Sequence, residues 1–315
     1  MPENSPRDPG SSDGVRVRDD AALRISAPGS LPVASLPWPL LIRDRVTSKL
    51  ETTGSYRWWV LAGALSGMFS VTITITILAL SIPRIANEFG ARESVATWIV
   101  AGPILAFGIV GPTLGKAADI WGHRRVFLIS LSLAAVLALA TAAAPTMGWL
   151  IFLRILGAVV GAGIGPAAMA MINSVFPPER RVQALGYWSL VAAGAPVIGV
   201  LLGGVIVEQY GWRWIFLAQA PVTVLAVLFA ALVLPTTPRR EGSRFDIPGV
   251  VTLGIGSIAL LLAISLGQTW GWTSPRLLGL LAVVPIMAVA FFRIEQRQPD
   301  PLIRIEYMRK PNFRY

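Results

Sequence analysis

Long apolar stretches recur eight times between Trp58 and Phe292, separated by short charged or Pro/Gly-rich connections. The first, Trp58 to Ile82, has no ionisable residue and exceeds the roughly 20 residues a helix needs to cross about 30 Å of hydrocarbon. The others run from Val95 to Leu114, Val126 to Ala144, Trp149 to Phe176, Ala184 to Val207, Trp214 to Leu234, Ile247 to Leu266 and Leu277 to Phe292. A bilayer interior offers no partner for a backbone N–H or C=O, so each crossing must satisfy its own backbone as a helix or within a closed barrel. Uninterrupted apolar runs exclude the barrel and predict an all-α membrane protein with eight spans. One local pattern opposes this: Val71 to Ile77 reads VTITITI, a β-branched alternation suited to a strand. Span length overrides it, and within a helix Thr72, Thr74 and Thr76 can return their hydroxyls to carbonyls one turn earlier.

Charge then sets a topology. The 315 residues carry 27 Lys and Arg and a net charge of +10, which in a soluble protein would suggest nucleic acid. With the amino terminus in the cytoplasm, 22 of the 27 cations fall on the cytoplasmic side, and only Arg84, Arg92, Arg213 and Arg276 fall outside. The positive-inside rule therefore predicts a multi-pass protein of the cell membrane with both termini cytoplasmic and no nucleic-acid partner. Trp58, Trp59, Trp149, Trp212, Trp214, Trp270 and Trp272 lie at span ends, where they are expected to anchor at headgroup level.

Residues 1–56, rich in Pro, Ser, Asp and Arg and lacking a cleavable signal, are expected to form a disordered cytoplasmic tail. Its Pro-broken patch Leu31 to Ile42 is expected to rest on the membrane surface. With no Cys and one His, disulfides, thiolate nucleophiles and Cys/His metal sites are excluded, and no cofactor is expected. His123 is read as a loop residue rather than a sensor. No Gly-x-Ser-x-Gly elbow and no Walker-type loop is present, so there are no candidate catalytic residues and an embedded enzyme is the weaker alternative. A non-transporting membrane scaffold is the other.

The most specific segment is GKAADIWGHRR, residues 115–125. Gly115 permits close helix approach, Asp119 can pair with a cation, Gly122 allows the chain to reverse, and Arg124 and Arg125 hold the loop inside and can pair with Asp119. An ordinary positive-inside loop is the plain alternative. Arg154 lies roughly 9 Å into the fourth span at 1.5 Å per residue. Its residue type leaves two readings open, a cavity-facing cation or a side chain snorkelling to the headgroups. Gly157, Gly161 and Gly165, and Ala195, Gly199 and Gly203, recur every fourth residue as two small-residue ridges suited to close packing.

These residues resemble the major facilitator superfamily, whose loop between helices 2 and 3 follows Gly-x-x-x-Asp-x-x-Gly-x-Arg-Arg, matched by Gly115, Asp119, Gly122, Arg124 and Arg125. Phe176 to Arg181 (FPPERR) with Ala184 to Gly186 looks like its loop between helices 4 and 5, and Gly211 to Phe216 (GWRWIF) with Pro221 like its sixth helix. Phe245, Asp246, Gly249, Gly267, Gln268, Gly271, Trp272, Pro301 and Leu302 resemble the two extra helices of the fourteen-helix drug:proton antiporter branch.

The resemblance implies a six-helix amino-terminal bundle (57–235), two linker transmembrane helices (236–292) and a cytoplasmic segment (293–315) leading to a second half beyond residue 315. It implies an efflux-type permease working by alternating access on a small molecule, with the lipid bilayer as its setting. Asp119 would latch the two halves, Arg154, Thr72, Thr74 and Thr76 would face the cavity, and Ala195, Pro196, Gly199, Gly203 and Gly204 would carry the antiporter motif. The chain departs from the pattern at several points. Gly157 and Ala158 stand where Gln and Gly are usual, Val200 replaces the motif proline while Pro196 lies a turn earlier, and Pro103 replaces a common tyrosine. Thr74 and Ala79 stand where Asp and Asn are usual. Proton coupling, which the resemblance implies, therefore has no titrating carrier within the first six helices, since Arg154 cannot release its proton.

Overall fold

The computed structural model describes residues 50, 54–237 and 247–297. Most of the expected tail with its patch Leu31 to Ile42, the segment 238–246 with Asp246, and residues 298–315 with Pro301 and Leu302 lie outside the described residues. The helices are α1 (Tyr56–Glu88), α2 (Glu93–Ala96), α3 (Trp98–Trp121), α4 (His123–Ala142), α5 (Met147–Gly161), α6 (Ile164–Val175), α7 (Pro178–Tyr210), α8 (Arg213–Val233), α9 (Ile247–Trp270) and α10 (Pro275–Glu295). Among the described residues eight spans are long and apolar enough to cross a membrane, with α2 and α3 together forming the second and α5 and α6 the fourth. No strand occurs among the described residues, and Val71 to Ile77 lies inside α1. Outward faces stay apolar, with Leu201 69 % and Leu225 66 % exposed, as lipid-facing positions should be.

The fourth span, expected as one continuous helix, is interrupted between Gly161 and Ile164. Pro166 lies just past the break, with no N–H to donate to the Ala162 carbonyl and a ring that crowds that group, and Gly161, Gly163 and Gly165 around it are poor helix formers.

The packing of the first six spans is internally symmetric. The first packs against the fifth and sixth, the third against the fourth and sixth, and the second against the fourth. Exchanging first with fourth, second with fifth and third with sixth maps this set onto itself. Spans three apart run in opposite directions, so the bundle is an inverted repeat of two three-helix units. Helices α9 and α10 pack on each other, and α9 leans on α3.

Two apolar plugs pack the helices together toward the ends of this bundle. At the end bearing Gly122, Val60, Phe127, Leu131, Met171, Ile172 and Ala230 are buried together. At the end bearing Gly211, Leu78, Ile85, Ile99, Leu150, Trp212 and Phe216 do the same.

Helix α7 meets α1 through its small-residue ridge. Ala195 is buried, and a Cβ added at Gly199 or Gly203 would overlap the Ile73 carbonyl or the Ile77 side chain. At Gly204 a Cβ would meet nothing within 4 Å. Lipid gives no hydrophobic drive for helix association, so such backbone proximity supplies the attraction. Gly203→Leu should therefore destabilise the bundle by about 1–3 kcal/mol, the usual cost of overpacking. Thermal unfolding in detergent checks this: the transition should drop for Gly203→Leu and hold for Gly204→Leu.

Candidate functional site

Between the two plugs lies a cavity of about 640 Å³, walled by the first six spans. Helix α1 contributes Met68, Val71 and Thr72, while α5 and α6 supply Arg154 and the small residues Gly157, Gly161 and Gly165. That last placement corrects one expectation. A Cβ at Gly157 or Gly165 would meet nothing within 4 Å, and one at Gly161 only Val71 at 3.9 Å. The glycines of the fourth span therefore hollow out the wall instead of forming a packing ridge.

Arg154 lines this cavity with its Cζ 5.5 Å from the centre of the Phe216 ring, within the range of a cation–π contact. Its Nε finds no hydrogen-bond partner in the protein. Two polar groups that sequence reasoning missed share the wall. Both Trp188 and Gln219 line it, and Nε1 of the one and Oε1 of the other are buried without a protein partner. Both left a signal, since each is a polar-tipped residue inside an otherwise apolar span rather than at its end.

The three threonines separate. Thr72 lines the cavity and donates to the Met68 carbonyl at 2.9 Å, one turn earlier. Thr74 is not in the cavity wall, and its buried hydroxyl has no partner. Thr76 donates across the helix contact to the Pro196 carbonyl at 2.8 Å rather than back along α1. The alternation that looked like a strand thus turns successive threonines to different surroundings around α1.

The loop at residues 115–125 is built as a helix end followed at once by a helix start. Gly122 caps α3 at φ 97°, a conformation L side chains rarely adopt, and Gly115 brings α3 against Pro166, where a Cβ would sit 3.4 Å from the proline ring. Asp119 Oδ1 lies 3.4 Å from His123 Nε2, so its described partner is the histidine and not an arginine. Arg124 donates from Nη2 to the Ala231 carbonyl at 2.7 Å, in the last turn of α8, where unpaired carbonyls favour a cation. Arg125 is exposed.

The repeat reproduces this loop at the opposite end. Glu208, Gly211 and Arg213 stand in the same spacing as Asp119, Gly122 and Arg124, and Gly211 caps α7 at φ 89°. Here Arg213 pairs with Glu88 at the end of α1, and Arg84 donates to the Val207 carbonyl near the end of α7. Trp212, expected at the headgroups, is 1 % exposed, and its Nε1 donates to Glu88 Oε2 at 2.7 Å. It is buried because an acid at the end of α1 takes up its polar tip.

An inverted repeat of membrane helices around a polar-studded cavity, flanked by apolar plugs toward both ends, defines a transporter-type fold. The sequence profile of the Major Facilitator Superfamily matches residues 63–248, more than half of the chain, and the chain belongs to that family. It is 34% identical over 250 residues to the puromycin resistance protein pur8 of Streptomyces alboniger, covering 78% of this chain and 49% of that protein. It is 31% identical to the tetracenomycin C resistance and export protein of Streptomyces glaucescens, covering 80% of this chain and 47% of that protein. It is 30% identical to the multidrug export protein EmrB of Escherichia coli K12, covering 78% and 48%. The chain spans about half the length of the curated relatives it matches. Among solved structures, the POT family transporter PepTSo shares the fold at TM-score 0.54 and 16% identity, covering 78% of this chain and 55% of that one. A bacterial homologue of the human lysosomal transporter Spinster, inward-facing and occupied, does so at TM-score 0.53 and 19% identity, covering 82% and 63%.

The threonines provide a direct check of this placement. Thr76→Val removes a made hydrogen bond and should cost about 0.5–1.5 kcal/mol, whereas Thr74→Val removes an unmet buried hydroxyl and should be neutral or stabilising. Thermal unfolding of the two variants in detergent should move in these opposite senses.

Proposed function

We propose that this chain forms the amino-terminal half of a small-molecule exporter that works by alternating access, with the cavity as its half of the central site. The observation that carries the reading is a hollow of about 640 Å³ held between two apolar plugs in an inverted repeat, the arrangement in which access can switch from one end to the other. Relatives named for resistance and export favour the outward direction. A second half completes the cavity and receives the latch.

In this reading the Gly122 end faces the cytoplasm, as do both termini, because 22 of the 27 cations then lie on that side. Asp119, with Gly115, Gly122, Arg124 and Arg125 around it, latches the halves at that face. Its exposed carboxylate, whose partner among the described residues is His123, can exchange that contact for one with the second half. Among the described residues no Asp or Glu lines this half of the cavity, and an arginine does not release its proton, so a proton carrier would have to come from the second half.

Flux into energised vesicles tests the transporter assignment, using a panel of acidic, neutral and basic fluorescent compounds and the protein expressed from its own gene. Asp119→Asn should lower flux about tenfold or more while leaving the protein in the membrane. A scaffold would show no flux to lose, and an enzyme would release product without vectorial movement. Orientation can be read independently because the chain has no cysteine. Arg125→Cys should react with an impermeant maleimide in inside-out vesicles and stay unlabelled in intact cells.

A further inference from the structure

The wall chemistry of the cavity narrows its cargo, on the reading above that cargo sits there. Arg154 carries a permanent positive charge, and among the described residues none that lines the cavity is an Asp or Glu. Two acids near the bundle ends are engaged elsewhere: Glu88 holds Arg213 and Trp212, and Asp119 lies beside His123. The contact that Arg154 does make, with the face of Phe216, attracts a cation through the ring quadrupole but accepts none of its in-plane N–H groups. Its Nε is correspondingly unpartnered.

Two further groups complete a polar end. Gln219 stands six residues into α8 and Arg154 seven into α5, and both helices start at the Gly211 end, so the two share a depth. The Gln219 amide can donate to an anion through its nitrogen, and its unpaired Oε1 can accept from a hydroxyl or N–H on the same molecule. Trp188 adds an unpaired donor further along the wall. The surface between is apolar, built from Ile104, Phe107, Leu137, Ile164 and Met169. The hydroxyls of Thr72 and Thr141, which also line it, donate to the carbonyls of Met68 and Leu137.

We propose that this cavity binds a lipophilic organic acid as its carboxylate, with the acid group against Arg154 and Gln219 and the apolar body extending toward Trp188. A cavity of about 640 Å³ suits a drug-sized molecule. A carboxylate accepts two parallel N–H bonds from the planar guanidinium fork. A cationic amphiphile would bring a second positive charge beside the first where little solvent screens it. A neutral compound would leave the donors unmet.

The test uses equilibrium binding to the purified full chain in detergent, with three dansyl probes of similar size: dansyl-phenylalanine, its uncharged amide and a dansyl-alkylamine. The acid should bind about tenfold or more tighter than the amide, and the amine weakest. Arg154→Gln should bring the acid down to the level of the amide while leaving the amide within about threefold, and Arg154→Lys should keep part of the preference. Retained amide binding shows that the variant is folded. Gly157→Leu, which places a side chain in the hollow, should reduce binding of every probe that enters it. Equal binding of acid and amide, preference for the amine, or an acid preference that survives Arg154→Gln would each overturn the proposal. If the amide and amine bind in a manner lost in Gly157→Leu while the acid is not preferred, the cavity stands as the cargo site and only the anion inference falls. If no probe binds, both fall.

Discussion

Hydrocarbon neither hydrogen-bonds a backbone nor pushes apolar helices together, so a bundle in lipid coheres where main chains can come close. In this chain that condition is met on one side of α1, where Gly199 and Gly203 leave room for the Ile73 carbonyl and the Ile77 side chain. With that side committed to α7, the face carrying Met68, Val71 and Thr72 is turned inward to the hollow. Thr76 reinforces the contact by bonding the carbonyl of Pro196, whose own nitrogen cannot donate. Small residues on α5 and α6 have the opposite effect: with no partner helix to fill their space, they become volume. The same residue type closes one interface and opens the next, and the neighbour decides which.

The gross architecture was legible because it follows from the solvent. Span length and freedom from charge are local properties, and they outweighed the strand-like alternation at Val71 to Ile77, which sits inside α1. Gly122 was also legible, since a glycine between a helix end and the next helix start marks a reversal that few other residues accept. The contacts that sequence reasoning missed depend on what a distant segment brings. Trp212 resembles the other tryptophans at span ends until Glu88, far earlier in the chain, arrives to accept its N–H. The pairing of Asp119 with His123 across one helical turn was within local reach, but two adjacent arginines made a more obvious claim on the acid. Gln219 and Trp188 acquire meaning only once Arg154 lies in the same wall.

The two ends of the bundle apply one backbone device with different electrostatics. Each has an acid, a glycine in a positive-φ cap and an arginine in fixed spacing. At the Gly122 end the arginine holds a helix carbonyl and the acid stays half free. At the Gly211 end the arginine is tied to Glu88, and Arg84 holds the carbonyl near the end of α7. The Gly211 end is therefore cross-linked by side chains from α1, α7 and α8, whereas at the Gly122 end the described side-chain links are those of His123 with Asp119 and of Arg124 with α8.

The interruption beside Pro166 in the fourth span has a mechanical consequence. A continuous helix transmits bending along its whole length, but a rod missing one rung of its ladder flexes at that rung. The upstream segment, with its guanidinium, can then tilt while the downstream segment stays seated in its plug, so the two ends of the span need not move as one piece.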